Sequence, residues 1–366
     1  MMRLWWTQIK AVVRLEMKKT FFAKRGLWVY LLAFMPFVLF VGHAIDVEHR
    51  KSVRASLVRQ STKQITQQDL ASIKEGMPQQ EVVERLGKPP MMWKWNQRRQ
   101  IAANSVENVV YEDDHYADSE DDLFVHFENG KVTGASLNQG DNFGEDLIVF
   151  AGIFQFFYVR LAVFFGCLGI FMNLFRGELL DKSLHFYFLA PIRREVLMAG
   201  KYLAGLLAAT VIFTTSEALQ ILIFAWHFDP NVLSNYIYHG HAAAHAAAYL
   251  GITVLACVGY GSLFLAAGLV FRNPIFPAAG ILLWEGINPF LPTVLQKISI
   301  IYYLRALCPV AIPVAPGTPP VLALLVSNAD PIAAGVAIFG VLLVSSFVLF
   351  MSGLQVRKMQ IDYTTE

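Results

Sequence analysis

The sequence predicts an α-helical polytopic membrane protein with six transmembrane helices and a small α+β domain inserted between the first two. Hydrophobic residues make up 55% of the chain and charged residues 16%, and the mean hydropathy is +0.45. Soluble domains carry a larger charged share, so this balance indicates a membrane protein. A membrane-spanning helix needs about 20 mostly apolar residues. Six stretches meet that requirement: residues 27–44, 147–175, 202–227, 243–271, 275–295 and 333–354.

Residues 1–26 precede the first span and are amphipathic. Apolar side chains recur at helical spacing on one side: Trp5, Ile9, Val12, Val13 and Met17. Basic side chains occupy the other side, which predicts a helix lying in the headgroup plane. A secretory signal peptide is the alternative, with Gly42 and Ala44 as small residues near a cleavage point. The leading segment is longer and more amphipathic than the usual start of a signal peptide.

Basic residues also predict the orientation. Seven of them come before the first span: Arg3, Lys10, Arg14, Lys18, Lys19, Lys24 and Arg25. The loop 176–201 and the tail 355–366 also carry arginine and lysine residues, whereas residues 228–242 contain none. The positive-inside rule therefore predicts that both termini and the loop 176–201 are cytoplasmic.

Residues 45–146 are too long and too polar for a simple loop, with 12 basic and 18 acidic residues. Thr66 and Asp69 form a capping box that predicts a helix to about Glu75. Pro78 predicts the first turn of a second helix that ends near Gly87.

Short strand-like runs follow in the same segment: MMWKWN, NVVYEDD, LFVHF and KVTGASL. Asn129 and Gly130 separate the last two, and this pair favours a two-residue hairpin turn. Two helices followed by these strands predict helices packed on one face of an antiparallel sheet.

This segment resembles the small lipoprotein domain called SmpA or OmlA. The resemblance rests on LASIKEGMPQQEVVERLGKPPMMWKW and on the later DLFVHFENGKV. It implies a module that contacts envelope proteins and does no chemistry. The alternative is a passive cap over the extracytoplasmic mouth of the spans.

The loop 176–201 combines charge with helical spacing. Glu178, Asp181, Lys182 and His185 fall at i, i+3, i+4 and i+7, which predicts an amphipathic helix. Pro191 ends it, because its ring removes a backbone donor and clashes with the preceding turn. Arg193 and Arg194 are then expected to open a helix that runs into the third span. The loop is interpreted either as a rigid element that transmits force or as an interfacial segment that only positions two spans.

The segment RGELLDKSLHFYFLAPIRREVLMAGKYLA resembles the cytoplasmic loop of ABC-2 type exporter permeases, whose helices dock on an ATPase. The matching positions are Glu178, Lys182, Pro191, Arg193, Arg194, Glu195, Gly200 and Lys201. With Asp181 added and Gly200 left out, these are the ATPase-coupling residues that the resemblance implies. The layout of the chain is also similar, with an N-terminal cytoplasmic helix, six spans and an enlarged outer loop between the first two. The outer loop 296–332 is proline-rich and longer than the hairpin usual in that family.

The resemblance implies a permease that pairs with itself or with a close homologue, together with two separate ATPase subunits, in a bacterial inner membrane. The chain lacks a G-x-x-x-x-G-K-[ST] phosphate loop, so ATP and Mg²⁺ would bind to the partner chains and this chain is not itself an enzyme. The alternative function is a non-transporting scaffold or signalling protein that binds envelope proteins through residues 45–146. A membrane hydrolase is a distant third possibility, because no G-x-S-x-G motif is present.

Three charged residues fall inside predicted spans, where charge is costly and often functional. They are Arg160, Glu217 and Glu285. Arg160 and Glu217 are interpreted either as an intramembrane pair that fixes packing or as part of a pathway for a polar headgroup. Glu285 is expected near the outer interface.

Other residue groups do not predict a site. His239, His241 and His245 have spacing that suits zinc, but no carboxylate ligand follows, and histidines at the membrane boundary are the preferred interpretation. Neither the histidines nor the three cysteines are therefore assigned to a metal site. Ala, Gly and Ser residues in 243–271 predict close helix packing, within one chain or across a dimer. Basic residues form no single stripe, which argues against nucleic-acid binding.

Overall fold

The structure is a computed structural model. It describes residues 2–22, 26–61, 69, 72–102, 105–117, 122–138, 142–180, 192–271, 273, 275–314 and 332–358. The chain forms two compact units, Gly42–Phe143 and the remainder, Met1–Val41 with Gly144–Glu366. We call them the insert unit and the membrane unit.

Long and short helices make up the membrane unit. They are α1 (Met2–Phe22), α2 (Leu27–Gln60), α4 (Phe143–Gly152), α5 (Phe164–Leu180), α6 (Arg194–Trp226), α7 (Pro230–Tyr238), α8 (Ala242–Val270), α9 (Ile275–Ile287), α10 (Thr293–Gln296), α11 (Ile300–Ala306) and α12 (Ala334–Lys358). Five helical segments in the described part of the chain are long and apolar enough to cross a membrane: Leu27–Gln60, Phe143–Leu174, Arg194–Trp226, Ala242–Val270 and Ala334–Arg357. The prediction of a helical multi-pass membrane protein is confirmed at this level, and residues 2–22 form a helix as predicted.

The predicted fifth span, 275–295, is not one continuous helix. α9 has 13 residues, which makes it about 20 Å long, shorter than the roughly 30 Å apolar core of a bilayer. A 3₁₀ turn, Asn288–Phe290, follows it, and the short helices α10 and α11 come next. Pro289 and Pro292 explain the break, because neither residue can donate a backbone hydrogen bond.

The helices of two other predicted spans have further features. The helix of the first predicted span, 27–44, continues to Gln60, and its later residues belong to the insert unit. The second begins as α4, becomes a π-helix over Ile153–Val163 and continues as α5. π-helical turns are rare and often lie at functional positions.

α8 packs against α5, α6 and α12 of the same chain. Gly261 permits this approach, since a Cβ atom there would lie 2.5 Å from the Phe171 ring. The Phe164 ring meets the Tyr260 ring edge-on, with the centroids 5.2 Å apart. Gly261 of α8 therefore serves packing within one chain.

The membrane unit has two ends that its contacts define. Arg357 at the end of α12 pairs with Glu195 at the start of α6, so these two termini lie at one end. The ring of Phe224, near the end of α6, packs on Phe150, which in turn packs on Tyr249 near the start of α8. α6 is therefore antiparallel to both α8 and α12.

The insert unit contains a four-stranded antiparallel sheet in the order β1-β2-β3-β4. The strands are β1 (Met91–Ala102), β2 (Ser105–Ala117), β3 (Asp122–Glu128) and β4 (Lys131–Asn138). Asn129 and Gly130 have φ values of 52° and 75°, so the predicted hairpin turn is confirmed.

The second predicted helix of the insert unit is α3 (Gln79–Leu86). The first was expected to reach Glu75, but residues 72–75 are not helical, and most of its earlier residues lie outside the described part.

α3 covers one face of this sheet. Its Val82 and Leu86 are buried against a cluster from β2, β3 and β4: Tyr116, Leu123, Val125, Phe127 and Val132. Arg54 from the end of α2 donates to Asp122 at 2.7 Å, and His115 lies 3.1 Å from the other oxygen of that carboxylate. Burial opposes ionisation of Asp122, but these hydrogen bonds outweigh it and hold its pKa below the usual value.

Asp114 in β2 differs from Asp122, because its buried carboxyl is not held by an arginine or a histidine in the part of the chain that the structure describes. Its carboxyl is fully buried, and both oxygens lack a hydrogen-bond partner among the described residues. Burial is the main cause that raises the pKa of Asp114 from 3.8 to about 6; the neighbouring Glu112 and Asp113 charges also raise it, whereas Gln79 acts to lower it. Because the folded unit holds this proton more tightly than the unfolded chain, the stability from Asp114 is present below pH 4 and is lost as the pH rises to about 6.

We therefore expect Asp114→Asn to stabilise the insert unit relative to wild type above pH 6, by up to about 3 kcal/mol. The two proteins should differ least below pH 4. Hydrogen exchange of the β2 and β3 amides in the full chain, compared between variant and wild type at each pH, measures this. A stability difference that does not change between pH 4 and pH 8 would contradict the burial argument.

Candidate functional site

The start of α6 follows directly on residues 181–191. Arg193 is its extended N-cap residue, and α6 then runs without interruption from Arg194 to Trp226. Glu195 lies in the first turn, where a negative side chain complements the helix dipole. The prediction that Arg193 and Arg194 open a helix continuous with the third span is confirmed.

Three neighbouring side chains tie this helix end to two other helices. The Arg193 guanidinium lies over the Trp5 ring of α1, 5.2 Å from its centroid. Arg194 donates to the backbone oxygen of Arg357 at 3.2 Å, and Glu195 pairs with the Arg357 guanidinium. We call these five residues the α6 corner. Because Arg193 is exposed, the corner presents a positive charge at the surface.

A buried ion pair fixes α1 on α6. Lys201 Nζ donates to Glu16 Oε1 at 2.7 Å and to the Leu174 backbone oxygen at 2.8 Å. Lys201 is 0% exposed and Glu16 is 3% exposed. At the same contact Gly200 lets the helices approach closely, since a Cβ there would lie 2.9 Å from Val12. Lys201 therefore joins α1, α5 and α6.

This burial changes the expectation for Lys201. The resemblance placed it among residues that couple to an ATPase, but its ammonium group is enclosed by the membrane unit. Its contacts make it a positioning residue. Its partner Glu16 was not predicted, although it is the one acidic residue among residues 1–26.

The other predicted coupling residues cannot be placed at the corner. Asp181, Lys182 and Pro191 lie outside the described residues. Glu178 belongs to the last turn of α5, and its side chain lies outside the described part as well.

Arg160 and Glu217 do not pair with each other. The Arg160 guanidinium lies over the Phe156 ring, 5.0 Å from its centroid. The π-helix carries Arg160, together with Tyr158 and Gln155.

Glu217 lies in a buried polar cluster between α6 and the π-helix. It is 0% exposed, and neither carboxyl oxygen has a hydrogen-bond partner among the described residues. Nearby, Tyr158 donates to the Phe213 backbone oxygen at 2.5 Å. Ser216 donates to the Ala33 backbone oxygen at 2.5 Å and accepts from Gln220 at 3.1 Å. The cluster thus links α2, α6 and the π-helix through neutral hydrogen bonds.

An ionised and unpaired carboxylate at this depth would cost several kcal/mol. Glu217→Gln, which keeps the shape without a charge, is therefore expected to change the stability by less than about 1 kcal/mol. Glu217→Lys is expected to cost about 3 kcal/mol because it places a permanent charge there. Thermal unfolding in mild detergent measures both, with Glu145→Gln at an exposed position as the control. A large loss from Glu217→Gln would show that Glu217 is ionised and stabilised.

Glu285 caps the start of α11. Its Oε2 accepts from the Ile301 amide at 2.7 Å and from Ser299 Oγ at 2.9 Å, and its Oε1 accepts from the Ile300 amide at 3.1 Å. These donors belong to a helix N-terminus, where a carboxylate is favoured. Glu285 therefore holds α9 and α11 together, which favours the packing interpretation.

The histidines lie at the junction of α7 and α8. The Tyr236 hydroxyl is 2.6 Å from His245 Nδ1, and the His241 and His245 rings stack with centroids 6.0 Å apart. His239 follows the last residue of α7 as its C-cap. The tyrosine contact engages one of the two ring nitrogens of His245.

Comparison with protein families, with curated proteins and with solved structures finds no significant match to this chain.

Proposed function

We propose that this chain is the permease subunit of an ATP-driven exporter of the ABC-2 type. A separate ATPase would dock at the α6 corner and on the neighbouring residues 181–191. Two ATPase copies would bind ATP and Mg²⁺, and two permease chains, identical or closely homologous, would form the membrane part. The observation that carries the proposal is the α6 corner, where an exposed arginine opens a long helix that is fastened to two others.

The geometry suits the transmission of force. α6 has 33 residues, so it extends for about 50 Å as one rod. α6 would therefore transmit a force applied at Arg193 across most of the membrane thickness. Rigid-body motion of helices is a common way to convert a local contact into a distant change.

The buried ion pair extends this rigid body. Because Lys201 binds Glu16 and the Leu174 backbone, α1 and α5 are expected to follow α6. At the other side of the corner, Glu195 and Arg357 connect α6 to α12. A docked ATPase would thus move four helices together.

The proposed topology keeps six crossings in a bacterial inner membrane, with both termini cytoplasmic. The antiparallel arrangement supports it: α8 and α12 both end at the side where α6 begins. Between them the chain must cross once in the opposite direction. We assign that crossing to the broken segment α9–α11, whose backbone turns are covered by α8 and by Glu285.

A photo-crosslinking amino acid at position 193 tests the docking surface. Leu222, which lies on the same helix and is 65% exposed, is the matched control. Position 193 is expected to capture an ATP-binding protein in native membranes, and position 222 is expected to capture none. Capture of the same ATP-binding protein from both positions, or from neither, would contradict docking at the corner.

One observation favours the alternative of an envelope-binding scaffold. Trp93 and Trp95 on the edge strand β1 are 42% and 44% exposed. Exposed tryptophans on the edge strand of a sheet are typical of surfaces that bind other proteins. If position 193 captures only proteins without an ATP-binding site, while the insert unit retains an envelope protein, the scaffold would replace the exporter.

A further inference from the structure

A large cavity opens between α9 and α12 in the membrane unit. Its volume is about 1180 Å³, which is above the usual range of about 300 to 1,000 Å³ for small-molecule pockets. Gly280 and Trp284 line it from α9, and Phe339, Leu343 and Phe347 line it from α12. We call it the α9–α12 groove. Its walls are mostly apolar, as expected for a site that takes a hydrocarbon chain.

Both walls of the groove are open to an incoming group. Phe339, Phe347 and Phe350 on α12 are between 63% and 65% exposed. On α9, a Cβ atom at Gly280 would meet no other atom within 4 Å. In a chain that spans a membrane, such a surface is in contact with hydrocarbon, from a lipid or from another apolar molecule.

The charges at the groove distinguish a specific ligand from general lipid contact. Lys297 and Glu285 both line it. Glu285 already accepts hydrogen bonds from the Ser299 hydroxyl and from the Ile300 and Ile301 amides. The Lys297 side chain is exposed and makes no hydrogen bond or ion pair with the described residues. Among the lining residues that the structure describes, Lys297 is therefore the one positive charge, and it lies beside apolar walls.

We propose that the α9–α12 groove binds an anionic amphiphile, with its hydrocarbon chain between α9 and α12 and its negative headgroup at Lys297. The apolar walls match the chain, because burial of methylene groups drives such binding. The free ammonium group matches the headgroup, because a charge beside a dry cavity discriminates between ligands more strongly than one in water. This inference rests on the proposed function and names the substrate class that the exporter would move.

Binding of fluorescent phosphatidylglycerol and phosphatidylcholine to the purified full chain tests the proposal without an ATPase. Gly280→Phe fills the groove from α9, and Leu343→Trp fills it from α12. Gly251→Phe is the matched control, because Gly251 is also an exposed helical glycine with nothing within 4 Å, and it does not line the groove. Lys297→Gln removes only the charge.

We expect wild type to prefer the anionic lipid and both filling variants to bind it about tenfold more weakly, while Gly251→Phe binds as wild type. Lys297→Gln should lose roughly fivefold for phosphatidylglycerol and nothing for phosphatidylcholine. Equal binding of the two lipids by wild type, or unchanged binding by both filling variants, would reduce the groove to general lipid contact and overturn the proposal. A change in the number of chains per particle in the filling variants would show that the α9–α12 groove is a surface between two copies of the chain. That result would also overturn the proposal.

These outcomes are independent of the docking experiment at position 193. Loss of ATPase capture with intact lipid preference would refute the exporter and leave the binding site in place. Intact ATPase capture with no lipid preference would refute only the substrate class.

Discussion

Lys201→Met is expected to destabilise the membrane unit by about 3 to 5 kcal/mol, because it leaves the Glu16 carboxylate buried without its cation. Glu16→Leu should have a similar effect, since it leaves the Lys201 ammonium group buried. Thermal unfolding in mild detergent measures the loss, and faster proteolysis of α1 would report its release from α6. Lys10→Met, at an exposed position of α1, is the control and should unfold as wild type.

The double variant Glu16→Leu with Lys201→Met separates two explanations. If the singles fail because a lone charge is buried, the double variant should recover most of the stability, since apolar replacement of a buried pair is often neutral or stabilising. If the double variant loses as much stability as the two single variants together, the packing contacts of these side chains hold α1 on α6. The charges of the ion pair then do not.

Glu285→Ala is expected to cost about 2 to 4 kcal/mol and to loosen α11 from α9. The substitution leaves the Ile300 and Ile301 amides and the Ser299 hydroxyl without their acceptor, and unsatisfied buried donors are costly. Faster hydrogen exchange at the Ile300 and Ile301 amides should accompany the loss.

Two variants serve as references for this prediction. Glu285→Gln keeps one acceptor oxygen and should fall between wild type and Glu285→Ala. Glu145→Ala, at an exposed position, should leave both stability and exchange unchanged. Slow exchange at Ile300 and Ile301 in Glu285→Ala would mean that this carboxylate does not hold the broken segment.

Local sequence patterns predicted the elements whose causes are local. The Asn129 and Gly130 turn follows from two residues that accept positive φ. The start of α3 after Pro78 and the start of α6 after Arg193 were likewise visible in the sequence. Each of these depends on neighbours a few positions away.

The break after α9 shows what hydropathy does not measure. The run 275–295 is apolar enough for a span, but apolarity does not reveal whether the backbone stays helical. Proline is an ambiguous signal, because Pro36 lies inside α2 without ending it, whereas Pro289 and Pro292 accompany the end of α9. The difference depends on which neighbours satisfy the freed backbone groups.

The Glu16 and Lys201 pair joins residues 185 positions apart. No periodicity relates them, so the sequence alone suggested a surface role for Lys201. A single acidic residue in an otherwise basic amphipathic helix was the available signal, since such a residue is costly beside lipid unless a cation meets it. The sequence equally could not show that Glu217 lacks a hydrogen-bond partner among the described residues, because burial at that helix face depends on the π-helix of a different span.

The most direct test of the proposed function is ATP hydrolysis by material purified with this chain from its native membrane in mild detergent. We expect a vanadate-sensitive ATPase to accompany wild type and Lys297→Gln, and to be lost from Arg193→Glu, which reverses the exposed charge of the α6 corner while leaving the buried ion pair intact. Absence of ATPase activity from wild type in several mild detergents, or equal activity in Arg193→Glu, would contradict a permease that receives force at the α6 corner.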